Sequence, residues 1–422
     1  MLAPLVLAAM SAQVADALIS RAEIKIAVAN NTWEVPAGYE WGLFRESVLD
    51  QDRDRIVTKY KNAGNWITGV GLGPMPNITV ADTPDDLGFL RDDHGAQPLT
   101  NYNRDSFYYG AVSIGTPGQV LNVDIDTGSA DLWVQSGCTS SGCSSSQFRP
   151  TKSKSFKGTG KPFHVQYGSG SVTGSLVHDT VTIAGLTVKD QYFGAVNKPS
   201  EDFKGTPSSG LIGMAFSSIA TSRKPTWFEN IIMTSPKTSP LFSVFLTRGT
   251  ARGSEACFGC YDKTKARSPI TWLPVVSKTY WAVAMTGAIV NKNIVPVHRN
   301  IFAAIDTGTT LIYVPDALAK SIYSQVPGAK HMSAGYYTAP CDTFSRLSVA
   351  LVFNGSPFNI NMVDFNLGRI APGSSTCVAG LLGLGNSFPD NLAIIGDEFL
   401  KSWYSTYDYS KGSRVGFSRS IL

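Results

Sequence analysis

One phrase occurs twice in this chain: Asp126-Thr127-Gly128-Ser129 and Asp306-Thr307-Gly308-Thr309, each directly after an apolar run, Val123 to Ile125 and Ile301 to Ile305. A single Asp-Thr-Gly is weak evidence, because turns of this kind ending in glycine are common in β proteins. Two copies restrict the fold far more, since each half must deliver one carboxylate through the same turn. A second echo supports duplication. Leu211-Ile212-Gly213 follows the first aspartate by 85 residues, and Ile394-Ile395-Gly396 follows the second by 88. Two related halves about an approximate two-fold axis account for both repeats.

A chain of 422 residues has room for such halves, because it exceeds what one hydrophobic core usually organises. Its 43% hydrophobic and 16% charged residues, with 40 Gly and 23 Pro, are those of a strand-rich globular protein. From Tyr108 onward the text reads as short strands with turn punctuation: Tyr108 to Ile114, Val120 to Ile125, Val172 to Gly174, Thr180 to Ile183 and Thr187 to Gly194. Helical patterns are few, at Pro225 to Ile232, Asp316 to Ile322 and Asp397 to Tyr404. The fold expected is mainly β, with two homologous β lobes around a central cleft.

The N-terminal region differs. Residues 1–17 form a mostly apolar stretch ending in small residues, which fits a secretory signal peptide although no Lys or Arg precedes it. Residues 18–96 are helix-prone and charged, then rich in Gly and Pro, then acidic, as expected of a removable propeptide; 97–275 and 276–422 are the expected lobes. Residues 1–96 hold 8 Lys/Arg and 13 Asp/Glu, a net of −5, leaving 28 and 19 and a net of +9 for the remainder. An acidic leader on a basic body favours their association. The basic residues of the body are scattered and form no nucleic-acid motif. No later segment is long and apolar enough for a membrane anchor, so the mature protein is expected to be soluble and secreted, with a vacuole as the alternative destination.

Six cysteines allow fifteen pairings and suit an oxidising compartment. Cys138 and Cys143 lie close enough to staple one loop, and Cys341 and Cys377 can close a longer one. Cys257 and Cys260 form a C-x2-C whose bonding state stays open; a zinc reading lacks a second ligand pair. The sequon at Asn354 is a glycosylation candidate, as are those at Asn30 and Asn77.

Two carboxylates in contact in a partly dry cleft cannot both ionise cheaply, so one keeps its proton. The ionised member can deprotonate a water that attacks an amide carbonyl, while the protonated member donates to the carbonyl oxygen. Neither metal nor cofactor is required. Gly128 and Gly308 let the backbone turn tightly, and the hydroxyls of Ser129 and Thr309 can fix the carboxylates.

Over residues 97–422 the chain resembles the pepsin-like aspartic endopeptidases (family A1), most closely the secreted fungal members, a family that is the standard case of a shared-proton aspartate pair. The resemblance rests on Asp126 to Val134, Tyr167-Gly168-Ser169-Gly170-Ser171, Tyr280-Trp281, and Ile394 to Leu400 through Val415-Gly416-Phe417. It implies catalysis by Asp126 and Asp306 and a flap tyrosine at Tyr167 that hydrogen-bonds Trp133. Gly168 and Ser169 would contact the peptide, and Thr127 and Thr307 would knit the lobes together. It also implies a monomer, a peptide or protein substrate cut beside bulky apolar residues, and a propeptide that places Lys59 or Lys61 against the dyad. Asp124 is shared with relatives that admit Lys beside the scissile bond, yet their acidic flap partner is Ser169 here, which speaks against basic-residue cleavage. The rival reading is a catalytically inactive binding or inhibitor protein on the same fold. Such relatives usually lose an aspartate, the flap tyrosine or a glycine, all of which stand here.

Overall fold

The computed structural model describes residues 35, 40–60, 63–67, 75–76, 78–87, 93–103, 105–139, 143–167, 170–200 and 206–421. The expected signal peptide, Asn30, Asn77, Lys61, Gly168 and Ser169 lie outside the described residues, and Tyr167 is described only as the last residue of its strand. The protein is 45% strand and 15% helix. It divides into two compact units interleaved in sequence, one of residues 1–44, 284–301 and 316–383, the other of 45–283, 302–315 and 384–422.

The second unit carries both Asp-Thr-Gly turns. It begins with the helices α1 (Glu46–Lys59) and α2 (Ala63–Ile67). Next come strands β1 (Gly95–Tyr102), β2 (Phe107–Ile114), β3 (Gln119–Asp126), β4 (Leu132–Gln135), β5 (Lys157–Tyr167), β6 (Gly170–Ile183), β7 (Leu186–Pro199) and β8 (Gly210–Gly213). These belong to a 13-stranded sheet in which β3 lies antiparallel to β2 and parallel to β8, while β8 pairs antiparallel with β4. Val123 to Asp126 and all of β4 and β8 are buried on both faces, so these stretches lack the alternation of burial that β2 shows.

The second turn is built in the same way. Phe302 to Ile305 run parallel to strand Leu392–Ile395, which pairs antiparallel with the returning strand Ile312–Val314. Each turn is then closed by backbone bonds: Gly213 N donates to Asp131 O at 2.9 Å, and Gly396 N to Leu311 O at 3.1 Å. A Cβ on Gly213 would meet the Ala130 backbone at 2.5 to 2.6 Å, and one on Gly396 would run into the carbonyls of Thr309 and Leu311. The apolar-apolar-Gly echo therefore has a steric cause.

The other unit holds a four-stranded sheet ordered 330–331, 337–340, 376–379, 366–369, in which Ala339 faces Cys377 and the disulfide Cys341–Cys377 joins the ends of neighbouring strands. It also contains the hairpin Val349–Phe353 and Ser356–Asn359, turned by Asn354 and Gly355 at φ 47° and 79°. This left-handed pair suits Asn-Gly and leaves the half-buried glycosylation candidate Asn354 at the hairpin tip.

Several boundaries depart from those read in the sequence. The stretches expected at Val172 and Thr180 are one 14-residue strand, β6, whose bulges at Thr173/Gly174 and Asp179/Val181 break the alternation. The helix expected from Pro225 is α3 (Trp227–Thr234), because Thr226 and Glu229 close a capping box in front of it. The helix expected over Asp397 to Tyr404 spans only Asp397–Leu400 and gives way to strand Trp403–Asp408, which is drawn into the large sheet beside Leu241–Phe245.

Gly213→Ala is expected to destabilise the protein by about 3 kcal/mol, the overpacking cost where backbone must move. Gly158→Ala, which meets nothing within 4 Å, should stay within about 1 kcal/mol. Urea midpoints of the two variants check this; equal midpoints would remove the steric account.

Candidate active site

The turns at Asp126 and Asp306 are tied crosswise beneath the carboxylates. Thr127 Oγ1 donates to Ile305 O at 2.7 Å, and Thr307 Oγ1 donates to Ile125 O at 2.6 Å. In return Thr307 N donates to Thr127 Oγ1 at 3.0 Å and Thr127 N to Thr307 Oγ1 at 3.1 Å. Each hydroxyl thus receives one bond and gives one, all of them buried, and the two loops are held in register.

Above this grip the carboxylates are held alike. Gly128 N and Ser129 Oγ donate to Asp126 at 2.8 and 2.5 Å; Gly308 N and Thr309 Oγ1 donate to Asp306 at 2.9 and 2.5 Å. Both aspartates are fully buried. A Cβ on Gly128 would collide with the Asp306 carboxyl, and one on Gly308 with that of Asp126. Glycine is required here because each turn passes directly against the opposite carboxylate.

A cation sits between the pair. Lys59, the last residue of α1, donates from Nζ to Asp126 Oδ1 at 2.6 Å and to both oxygens of Asp306 at 2.9 Å. Next to it Tyr60 OH donates to Asp306 Oδ2 at 3.1 Å and stacks on Tyr280, whose hydroxyl donates to Lys59 O at 3.0 Å. One helical face carries these groups, since Asp52, Ile56 and Lys59 are all buried and spaced i, i+4, i+7. Asp52 accepts from Thr310 N at 2.7 Å, Leu311 N at 3.1 Å and Tyr313 OH at 2.8 Å, just beyond the second turn. Asp52 and Tyr60 were not singled out from the sequence, and Tyr280 was noted only within the motif Tyr280-Trp281, with no role at the site; the i, i+7 spacing of Asp52 and Lys59 was the signal available.

Burial pushes the Asp126 carboxyl up to about 6, against the pull of Lys59. Burial acts on Asp306 too, but Lys59 on both its oxygens and the Thr309 hydroxyl hold it below the usual carboxylate range. Burial likewise opposes the charge on Lys59, and the two carboxylates overcome it and raise the ammonium above its ordinary value. The group between the aspartates is therefore a firmly charged ammonium.

A small pocket opens beside Asp126, lined by Lys59, Phe107, Asp124, Trp133, Ser208, Leu211 and Gly308 among others. Trp133 is buried against Phe163, Val172, Leu176, Val196 and Leu211. Tyr167 closes the β5–β6 hairpin opposite Gly170. The three disulfides are Cys138–Cys143, Cys257–Cys260 and Cys341–Cys377, so the C-x2-C left open by the sequence is paired.

Paired buried aspartates on duplicated turns in a mainly β fold define a pepsin-like aspartic endopeptidase site. Residues 107–420 match the family described as eukaryotic aspartyl protease, and the chain belongs to it. It is 36% identical to an aspartic protease of Phaffia rhodozyma over 78% of this chain and 80% of that one. It is 33% identical to cathepsin E of Cavia porcellus over 77% and 84%, and 34% identical to rhizopuspepsin of Rhizopus chinensis over 74% and 79%. The protein is thus an aspartic endopeptidase that hydrolyses peptide bonds, with the bilobal pepsin-like fold.

Lys59→Ala leaves two buried carboxylates without their cation, which is expected to weaken docking of α1 by about 3–5 kcal/mol; Asp52→Asn, which keeps the shape and one acceptor, should cost about 1–3 kcal/mol. Asp306, held below the usual carboxylate range by Lys59, binds fewer protons docked than free, so its share of the docking energy is lost as pH falls through that acid range; Asp126, raised to about 6 by burial, acts in the opposite sense. Hydrogen exchange of residues 46–60 against pH reads both; exchange in Lys59→Ala equal to wild type at pH 7 would remove the lysine from this role.

Proposed function

We propose that the chain is a secreted zymogen of an acid endopeptidase, in which Asp126 and Asp306 activate the attacking water and the leader blocks them. In this reading 1–17 is the signal peptide, 18–96 the propeptide, and 97–275 and 276–422 the two lobes of a monomeric enzyme. The observation that carries it is Lys59 Nζ, within 2.9 Å of both carboxylates and delivered by a helix that precedes the family-matching region. Three disulfides support an oxidising destination.

With Lys59 withdrawn, the pair shares one proton. A water hydrogen-bonded to both carboxyls loses a proton to the ionised member and adds to the amide carbon. The protonated member donates to the carbonyl oxygen, and a proton returned to the nitrogen lets the C–N bond break. Ser129, Thr309 and the two glycine N–H groups keep each carboxyl aimed throughout. The asymmetry in which Asp306 alone is held low belongs to the docked leader, since Lys59 and Tyr60 favour that residue.

Phe107, Trp133 and Leu211 in the pocket beside Asp126 favour a bulky apolar side chain next to the cut bond. Tyr167, Gly168 and Ser169 would cover the bound peptide. Asp124 at the same pocket is an acidic feature that could admit a lysine there, and Ser169 gives it no acidic counterpart on the flap.

Asp126→Asn and Asp306→Asn are each expected to lower kcat by at least about 10⁴-fold while leaving the fold intact, as expected when acid and base act as one unit. The processed wild type should show a bell-shaped pH dependence in the acidic range, with peptides carrying Phe or Leu at the cut bond preferred over Lys. Full cleavage by either purified variant would sink the dyad assignment.

A further inference from the structure

The leader is fixed to the protein at a second place, through residues that take no part in the dyad. Strands Trp403–Asp408 and Arg414–Arg419 are joined by a turn in which Asp408, fully buried, accepts from Ser410 N at 2.8 Å, Ser410 Oγ at 2.8 Å and Arg414 Nε at 2.8 Å. The Arg414 guanidinium lies 3.9 Å from the Trp272 ring. These groups form a preset fork with a flat aromatic wall.

Ala81-Asp82-Thr83-Pro84-Asp85 lies in it. Thr83 is buried; its hydroxyl donates to Asp408 and lies 2.8 Å from Ser410 Oγ, and its N–H donates to Ser410 Oγ at 3.3 Å. Arg414 Nη2 donates to the Thr83 carbonyl and hydroxyl, each at 3.2 Å. The Asp85 carboxylate receives Arg414 Nη1 and, at 2.7 Å, Lys411 Nζ, while its carbonyl accepts from Trp272 Nε1 at 2.9 Å. Lys411 N donates to Asp82 at 3.2 Å, and Leu87 just beyond is buried. Every polar group of Thr83 is thus read by specific donors and acceptors, and Asp85 is read at one carboxylate oxygen and at its carbonyl, which a non-specific charge attraction would not do.

We propose that Asp408, Ser410, Lys411, Arg414 and Trp272 form a peptide-binding site separate from the catalytic pocket, whose ligand is the leader's own Thr83-Pro84-Asp85 segment. The site selects a hydroxyl two residues before a carboxylate, with proline between them. Lys411 and Arg414 hold the Asp85 carboxyl down at about 2, so the clamp keeps its charge in acid that protonates Asp126. Residues 78–87 accordingly stay on the body when the residues before them are removed. This goes beyond the zymogen reading, and binding at the site needs no catalysis.

The test uses the full chain carrying Asp126→Asn, so that self-cleavage plays no part. Thr83→Ala with Asp85→Asn is expected to raise hydrogen exchange at least tenfold in both 78–87 and 408–414, with 46–60 unchanged. A labelled peptide of residues 78–90 added to this variant should then bind saturably, more weakly in high salt, and at least tenfold more weakly when its own Asp85 is Asn. Unchanged exchange in the variant, or equal binding of the Asp and Asn peptides, overturns the proposal. In the catalytically intact chain the N-terminus formed at pH 4 should fall before residue 78; one after residue 87, with the released segment not co-purifying, would also overturn it. Loss of hydrolysis alone, with the exchange and binding results intact, would count against the catalytic reading and leave this site standing.

Discussion

Everything at the centre of this molecule depends on holding two carboxyl groups against each other in a place without solvent. Left alone such a pair would drive its loops apart, because ionised like charges repel and buried ones lack water. The crossed bonds of Thr127 and Thr307 prevent this with groups that carry no net charge, so the restraint does not weaken as the aspartates titrate. Each threonine also ties its loop to the carbonyl just before the opposite aspartate, at Ile125 or Ile305. Alanine at either position would strand buried backbone donors and acceptors as well as loosen the loop.

The close approach fixes the remaining residue types of the turn. A side chain after either Asp-Thr would occupy the space of the other carboxyl, so only glycine serves. A hydroxyl one residue on is needed to satisfy the outer oxygen, and serine and threonine fill it equally well. The apolar-apolar-Gly strand beside each turn is the outer layer of the same constraint, since its glycine lets the returning loop close over the aspartate. Sequence duplication here follows from each half having to solve one steric problem.

That is why the dyad, its hydroxyls and its glycines were legible in the sequence. Their residue types are dictated locally, within a few positions of each aspartate. The helix expected at Asp397 shows the opposite case: Trp403 to Asp408 follows a helix and mixes aromatic with polar residues, and pairing with Leu241–Phe245 decides it as strand. Bulges in β6 hid one long strand as two short ones. Thr83 stayed silent because nothing nearby marks it, and Asp52 offered only its i, i+7 spacing to Lys59; their meaning comes from Thr310 and Asp408, more than two hundred residues away in the chain.

Net charge told half of how residues 1–96 and the rest of the chain attract each other. An excess of acid in one and of base in the other predicts attraction, yet the contact at the dyad has the reverse polarity, with Lys59 between Asp126 and Asp306. The two kinds of contact answer acid differently. Burial raises Asp126 to about 6, so acid removes its charge first, while Lys59 holds Asp306 below the usual range. Asp85, bonded to Lys411 and Arg414 at the surface, stays ionised to about 2. Acid therefore takes part of the charge that Lys59 faces while the 82–85 contact keeps its own, because desolvation dominates at Asp126 and hydrogen bonds to cations dominate at Asp85.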